Sequence, residues 1–451
     1  MSCNARGQGI VEVAAGFPSV RVGTGKAPVA RLQLGSTMGH GHASSLGSTD
    51  TVPRPWQAIV LAALTFGLCA AAAWSAPAPA TIQILSADEA RAVAALGPWP
   101  VAVPRDPGNR VSGNVKAIEL GRQLFRDPRM SPVGYIACVT CHQPDRAFTD
   151  VKARAHGLAD LPRNTPALAN LSLQRWYGWG GGSDSLWMAS IKPILDAREF
   201  DGNAGLVRRL FVREPEMAAC YRSVFGASPL RGDLQHTVVN VGKALAAFVE
   251  TLVTARTPFD DFRDAVVRGD SVRAAAYPAG ALRGLKLFIG RAGCVSCHNG
   301  PNFSDGEFHP GVTPPQHSAA ALSLVDSGRL GDARALKASA FNLTGASNDD
   351  RTRRNAGATR RLAVHDGLSG RYRTPSLRNV SVTAPYFHNG QTDDLHDALQ
   401  HPQPLSSRSD GALEPALARA DVDDLAAFLV TLTDAHGARR PWNPAGLTRC
   451  P

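Results

Sequence analysis

The pentapeptide Cys138-Val139-Thr140-Cys141-His142 returns as Cys294-Val295-Ser296-Cys297-His298, and nothing else in the chain constrains its fold as strongly. With 8 cysteines and 13 histidines among 451 residues, one chance C-x-x-C-H is rare and two require a chemical reason. Two thiols at this spacing can each add to a vinyl group of one haem, and the next residue then offers its imidazole to the iron. A zinc ribbon brings its C-x-x-C pairs within roughly 15–20 residues of one another, far closer than Cys141 and Cys294. A thioredoxin-like motif needs neither the His nor a second copy. The repeat therefore predicts two covalent c-type haems, with Cys138, Cys141, Cys294 and Cys297 as attachment points and His142 and His298 as proximal iron ligands.

The flanks repeat too. "ELGRQLFRDPRMS" precedes the first unit and "ALRGLKLFIGRAG" the second, each with Gly four residues before Phe in a helical pattern (Gly121 and Phe125; Gly284 and Phe288). Apolar residues at three- and four-residue steps predict further helices over 234–254 and 416–433. With 43 Gly and 32 Pro, loops fill much of the remainder, notably 300–370, and 257–280 reads as a linker. The expected fold is mainly α, with two cytochrome c-like haem domains in tandem, loop-rich and with little strand: 81–265 for the first and 266–451 for the second.

Residues 1–80 read as an extension plus export signal. Arg54 precedes an apolar run of about eighteen residues that ends near Ala78-Pro79-Ala80, the pattern of a cleaved secretory segment. A retained anchor is the competing reading, since such a run can just span a bilayer. Met38 is a candidate later start, and the expected location is the periplasm. The net charge of +10 is scattered, without the aromatic interleaving of a nucleic-acid surface. It suits a basic surface or an acidic partner protein drawn in by long-range attraction.

From Glu119 to Leu432 the chain resembles the bacterial di-haem cytochrome c peroxidases, including MauG-type proteins. The resemblance rests on "ELGRQLFRDPRMS…CVTCH", "NTPALAN", "GRAGCVSCHNGPNF" and "RTPSLRNVSVTAPYFHNG". It implies hydrogen peroxide as substrate at the N-terminal haem, and a small cytochrome c or cupredoxin as electron donor. Glu199 matches the family's catalytic glutamate; a carboxyl there can move a proton between the two peroxide oxygens. Trp179 matches the inter-haem electron relay, with Trp176 and Trp187 as near neighbours. His156 matches the removable distal ligand of the first haem. Asn164, with the backbone carbonyls of Thr383 and Pro385, matches a calcium site, and oxygen donors suit that hard cation.

The pattern breaks at two places. Where the family often adds a glutamine to the peroxide pocket, Ala189 stands. The sixth ligand of the second haem is Met in the peroxidases and Tyr in MauG-type proteins, yet no Met follows Met217 and no Tyr follows Tyr386. The family position falls on Pro402, which makes its neighbour His401 the candidate and His396 an alternative; bis-His ligation lowers the potential relative to Met. His388 reads as a structural residue of its motif, and Cys220 and Cys450 as a candidate disulfide. The expected function is peroxide reduction to water. Oxidation of a partner protein's side chain and electron transfer without catalysis are the alternatives, and a homodimer remains open.

Overall fold

The structure, a computed structural model, describes residues 84–311, 326–400 and 417–437. All of these belong to one compact unit, Ala76–Pro451. The export segment, His401 and Cys450 lie outside the described residues. Among those described, no helix is long and apolar enough to cross a membrane.

Helix α1 (Ala87–Ala95) is started by Ser86, whose hydroxyl accepts from the Glu89 N–H while the Glu89 carboxylate reaches back to the Ser86 N–H, a reciprocal cap. The first haem unit sits among α2 (Val115–Phe125), α3 (Cys138–Cys141), α4 (Leu186–Leu195), α5 (Ala204–Arg213), α6 (Pro215–Phe225) and α7 (Leu234–Val249). These bury a core around Leu120, Leu124, Phe125, Phe148, Trp187, Ile191, Val241 and Phe248. The second unit follows α8 (Pro258–Arg268), α9 (Ser271–Ala275) and α10 (Ala279–Ile289). Strand β1 (Phe308–Pro310), α11 (Arg329–Ala338), α12 (Gly357–Arg361), β2 (Arg371–Arg373), α13 (Leu395–Gln400) and α14 (Arg419–Val430) complete the order. The second core gathers Phe259, Phe262, Phe288, Phe303, Leu425 and Phe428.

The two Gly–Phe pairs mark equivalent helix crossings. Helix α2 crosses α7 so closely that a methyl on Gly121 would overlap the Ala244 carbonyl, and α10 crosses α14 so that one on Gly284 would overlap that of Asp424. Only glycine lets two backbones approach this far. One turn later Phe125 lies 5.3 Å from Phe248, and Phe288 lies 5.0 Å from Phe428, ring centre to ring centre.

Several expectations are corrected. Residues 257–280 are not a linker: they form α8, α9 and the start of α10, with Phe259 and Phe262 buried in the second core. The boundary expected at 265/266 therefore falls inside α8. Strand β1 and two helices interrupt 300–370, β1 pairing antiparallel with β2 just beyond it in the register Phe308↔Arg373, His309↔Tyr372 and Pro310↔Arg371. The cores also exchange chain. Leu85, Val93 and Leu96, around α1, belong to the second core, whereas Leu336, Leu343 and Ala356 belong to the first.

Ties across this exchange are polar. Lys243 on α7 meets Asp349 at 2.6 Å and the Ser347 carbonyl at 2.8 Å. Asp184 accepts from the Leu343 N–H at 2.9 Å and the Thr359 hydroxyl at 2.6 Å. Arg163 pairs with Asp326 at 2.6 Å and Asp332 at 2.7 Å.

Candidate haem-bearing active site

Both C-x-x-C-H units adopt one tight turn in which the His N–H donates to the first Cys carbonyl, at 2.9 Å in each copy. That bond closes the turn that carries both thiols and the imidazole. Each imidazole is oriented from behind: His142 Nδ1 lies 3.0 Å from the Phe148 carbonyl, and His298 Nδ1 lies 3.0 Å from that of Phe303. Phe148 and Phe303 both take positive φ, 59° and 51°, which turns each carbonyl toward its ring. A carbonyl accepting from Nδ1–H fixes the tautomer that leaves Nε2 for iron. Burial holds both imidazoles below their ordinary pKa, hence neutral. The four thiols are free of disulfides, although Cys220 in the same chain is disulfide-bonded. Unpaired thiols beside a neutral, oriented imidazole, backed by buried phenylalanines, are what a covalently attached haem requires.

Glu199 stands on the turn between α4 and α5. Asp196 shapes that turn by accepting from the Arg198 backbone N–H and, bidentately, from its guanidinium. The Glu199 carboxyl is half-buried, and its pKa is pushed up to about 7, first by burial and then by the Asp196 charge. Its charge is felt at both Cys138 and Cys141. The loop carrying His156 closes over this turn through two backbone bonds, Leu158 N–H to Glu199 O at 3.2 Å and Ala159 N–H to Arg198 O at 2.9 Å. A methyl on Gly157 would come within 2.7 Å of the Glu199 Cα. The His156 carbonyl lies 3.7 Å from Cys141 Sγ, while its ring is half-exposed and bonded to Asp160 at 2.6 Å. Cys141, the His156 loop and Glu199 are thus brought together. Ala189 is half-buried on α4.

Trp179 is clamped from two directions. Its indole N–H donates to the Asn164 carbonyl at 2.9 Å, and its own carbonyl accepts from the Arg373 N–H at 2.7 Å. Trp176 and Trp187 are instead fully packed in the first core. Asn164 is buried; its side-chain amide donates to the Lys152 carbonyl at 2.8 Å, and its backbone N–H donates to the His388 carbonyl at 2.8 Å. Thr383 and Pro385 lie just ahead of His388, with Thr383 Oγ1 donating to the Val380 carbonyl at 3.2 Å. The calcium candidates therefore come from neighbouring segments.

His388 is buried and stacked 3.5 Å from Tyr372, and burial lowers its pKa to about 4, as suits a structural residue. His396 is exposed and lies near Asp394 and Asp423, at 3.6 and 3.5 Å. Sequence reasoning passed over Arg329 and Arg373, both buried against the Trp179 turn. Arg373 opens the quoted "RTPSLRN" stretch, but nothing in one sequence tells a buried arginine from an exposed one.

A family model described as di-haem cytochrome c peroxidase matches residues 115–268. The methylamine utilization protein MauG of Methylorubrum extorquens is 31% identical over 304 residues, 67% of this chain and 72% of that protein. The chain belongs to the di-haem cytochrome c peroxidase family. The cytochrome-c peroxidase IdrP2 of Pseudomonas sp. strain SCT is 31% identical, covering 71% of this chain and 82% of its own length. The cytochrome c551 peroxidase of Pseudomonas aeruginosa is 29% identical, covering 76% and 85%. In fold, the chain is similar to the diheme peroxidase BthA of Burkholderia thailandensis, with a TM-score of 0.58 and 23% identity over 79% of this chain and 93% of that one. As a member of this family it is an oxidoreductase built for two haems.

Proposed function

We propose that the protein is a periplasmic di-haem peroxidase that reduces hydrogen peroxide to water, with electrons from a small cytochrome c or cupredoxin. The reaction consumes two electrons and two protons per peroxide and releases two waters. The haem iron, when bound, is where peroxide is held and reduced. Glu199 takes a proton from one peroxide oxygen and returns it to the other. The observation that carries this reading is a carboxyl with a pKa near 7, seated beside the first haem-binding thiols, since a proton shuttle works best when its pKa lies near the working pH.

Trp179 passes electrons between the haems, consistent with its bonds to segments from both halves of the chain. His156 would serve as a removable ligand of the first haem, for which its ring would have to leave Asp160. His401, outside the described residues, would ligate the second haem, and Asn164 with the Thr383 and Pro385 carbonyls would hold calcium.

The test is peroxide turnover by the haem-loaded protein with a reduced small cytochrome. Glu199→Gln should lower kcat by about 10²–10⁴-fold with both haems retained. Undiminished turnover would overturn the role of Glu199. A MauG-type oxidation of a partner protein is the second reading: the chain has neither a Met after Met217, as the peroxidases use at the second haem, nor a Tyr after Tyr386, as MauG-type proteins use, so the second haem's ligand does not choose between the two. Slow turnover together with a long-lived oxidised state after peroxide addition would select it.

A further inference from the structure

Two guanidinium groups are buried at the Trp179 turn without a direct carboxylate partner among the described residues, although the charges of Asp332 and Glu307 reach Arg329 through space. Arg329 is 2% exposed and donates to the Gly180 and Gly181 carbonyls at 3.1 and 2.7 Å. Its guanidinium stacks 4.1 Å from the Phe308 ring and 4.5 Å from that of Trp176. Arg373 is 5% exposed and donates to the Thr374 carbonyl at 3.0 Å, while its buried Nε has no partner. Among the described residues neither forms an ion pair. Asp332, one turn along α11 from Arg329, is already engaged by Arg163. Elsewhere the chain does neutralise a buried guanidinium, holding Arg378 against both oxygens of Asp260 at 2.9 and 3.0 Å. Burying one unpaired cation is costly, and burying two more so, unless an anion accompanies them.

The surroundings identify that anion. Phe308, under the Arg329 guanidinium, is the cross-strand partner of Arg373, so both cations flank one short stretch of the β1–β2 ribbon. The ribbon leads directly to the second haem unit. Thr374 O accepts from the Ser304 hydroxyl at 2.7 Å, and Thr374 N–H donates to Glu307 O at 3.0 Å. Ser304 follows Phe303, whose carbonyl orients His298, and the Pro375 carbonyl faces the same imidazole. A carboxylate delivered into this interior with the cofactor would meet planar, forked donors suited to bidentate capture.

We infer that Arg329 and Arg373 form the anion site for the propionate groups of the haem carried by His298. Through the Arg373 N–H and the Gly180 and Gly181 carbonyls, they also fix that haem's carboxylate edge against the Trp179 turn. The inference rests on the two-haem reading but not on peroxide turnover, which the test below does not measure.

The experiment compares Arg373→Gln, Arg373→Lys and Arg329→Gln with the wild type, each haem-loaded. It reads the haem propionate bending band by resonance Raman and both midpoint potentials by spectroelectrochemistry. The expected result is a shifted propionate band and a lower potential for the C-terminal haem in Arg373→Gln, the same direction in Arg329→Gln, and a smaller change in Arg373→Lys. An unaltered band with both potentials unmoved, at two haems per chain, would overturn the site. Wild-type potentials that respond to added acetate or phosphate while the band stays fixed would mean a diffusible anion, and would overturn it equally. Should Arg373→Gln fail to retain two haems, Arg373→Lys and Arg329→Gln carry the same comparison.

Discussion

At the scale of single residues, burial decides the chemistry. Glu250, at the end of α7, accepts from the Ser112 hydroxyl at 2.7 Å through one oxygen, while its other oxygen is buried without a partner. Burial, with Asp106 adding to it, pushes this carboxyl from its ordinary 4.5 up to about 7. A carboxyl raised on folding keeps its proton longer in the folded chain. The stability it contributes is complete below about pH 4.5 and is lost as pH rises through about 7. Glu250→Gln removes that loss. The variant should be more stable than wild type above pH 7, by on the order of 1–3 kcal/mol, with the gap closing toward pH 4.5; urea unfolding across pH 4.5–8 reads it. A gap independent of pH would refute the assignment. None of this was legible in the sequence, because the letter Glu carries no burial. The two C-x-x-C-H units were legible because covalent haem attachment would impose a fixed spacing on two thiols and a histidine. Glu199 was reached only through resemblance, and its electrostatics emerged from the turn that Asp196 builds.

At the scale of elements, the helices beside the haem units were readable and their purpose was not. The 3.6-residue pattern located α7 and α14 to within a few residues, and the Gly–Phe pairs were visible as a repeat. That each glycine admits a crossing backbone became apparent only once α2 met α7 and α10 met α14. Gly121→Ala and Gly284→Ala should each destabilise the protein by about 1–3 kcal/mol or more, the usual cost of overfilling a packed contact, and should lower haem retention. Thermal unfolding and haem content per chain check both. Equal stability would mean that the helices can separate without loss. The stretch 257–280 misled because Asp, Arg, Gly and Pro make up 11 of its 24 residues. The same letters supply helix ends: Thr257 and Asp260 cap each other at the start of α8, and Gly269 closes it with φ 69°.

At the scale of the molecule, two haem units predicted two separate modules, and the chain instead shares its cores. Lys243 is the most buried of the ties, its side chain 2% exposed against Asp349. Lys243→Ala would leave that half-buried carboxylate to Arg110 alone and remove a buried charged donor, at a cost of about 1–3 kcal/mol. It should loosen 343–356 from α7, read as faster amide exchange there than in α10 or α14. The exchange of segments also bears on synthesis. Cys138 and Cys141 leave the ribosome long before Leu336, Leu343 and Ala356, the residues that finish the core around them. A chain made from its N-terminus therefore keeps its first pair of thiols beside an unfinished core through almost half of its synthesis. Haem joining these thiols at that stage would meet an open site, which the later segments would then close.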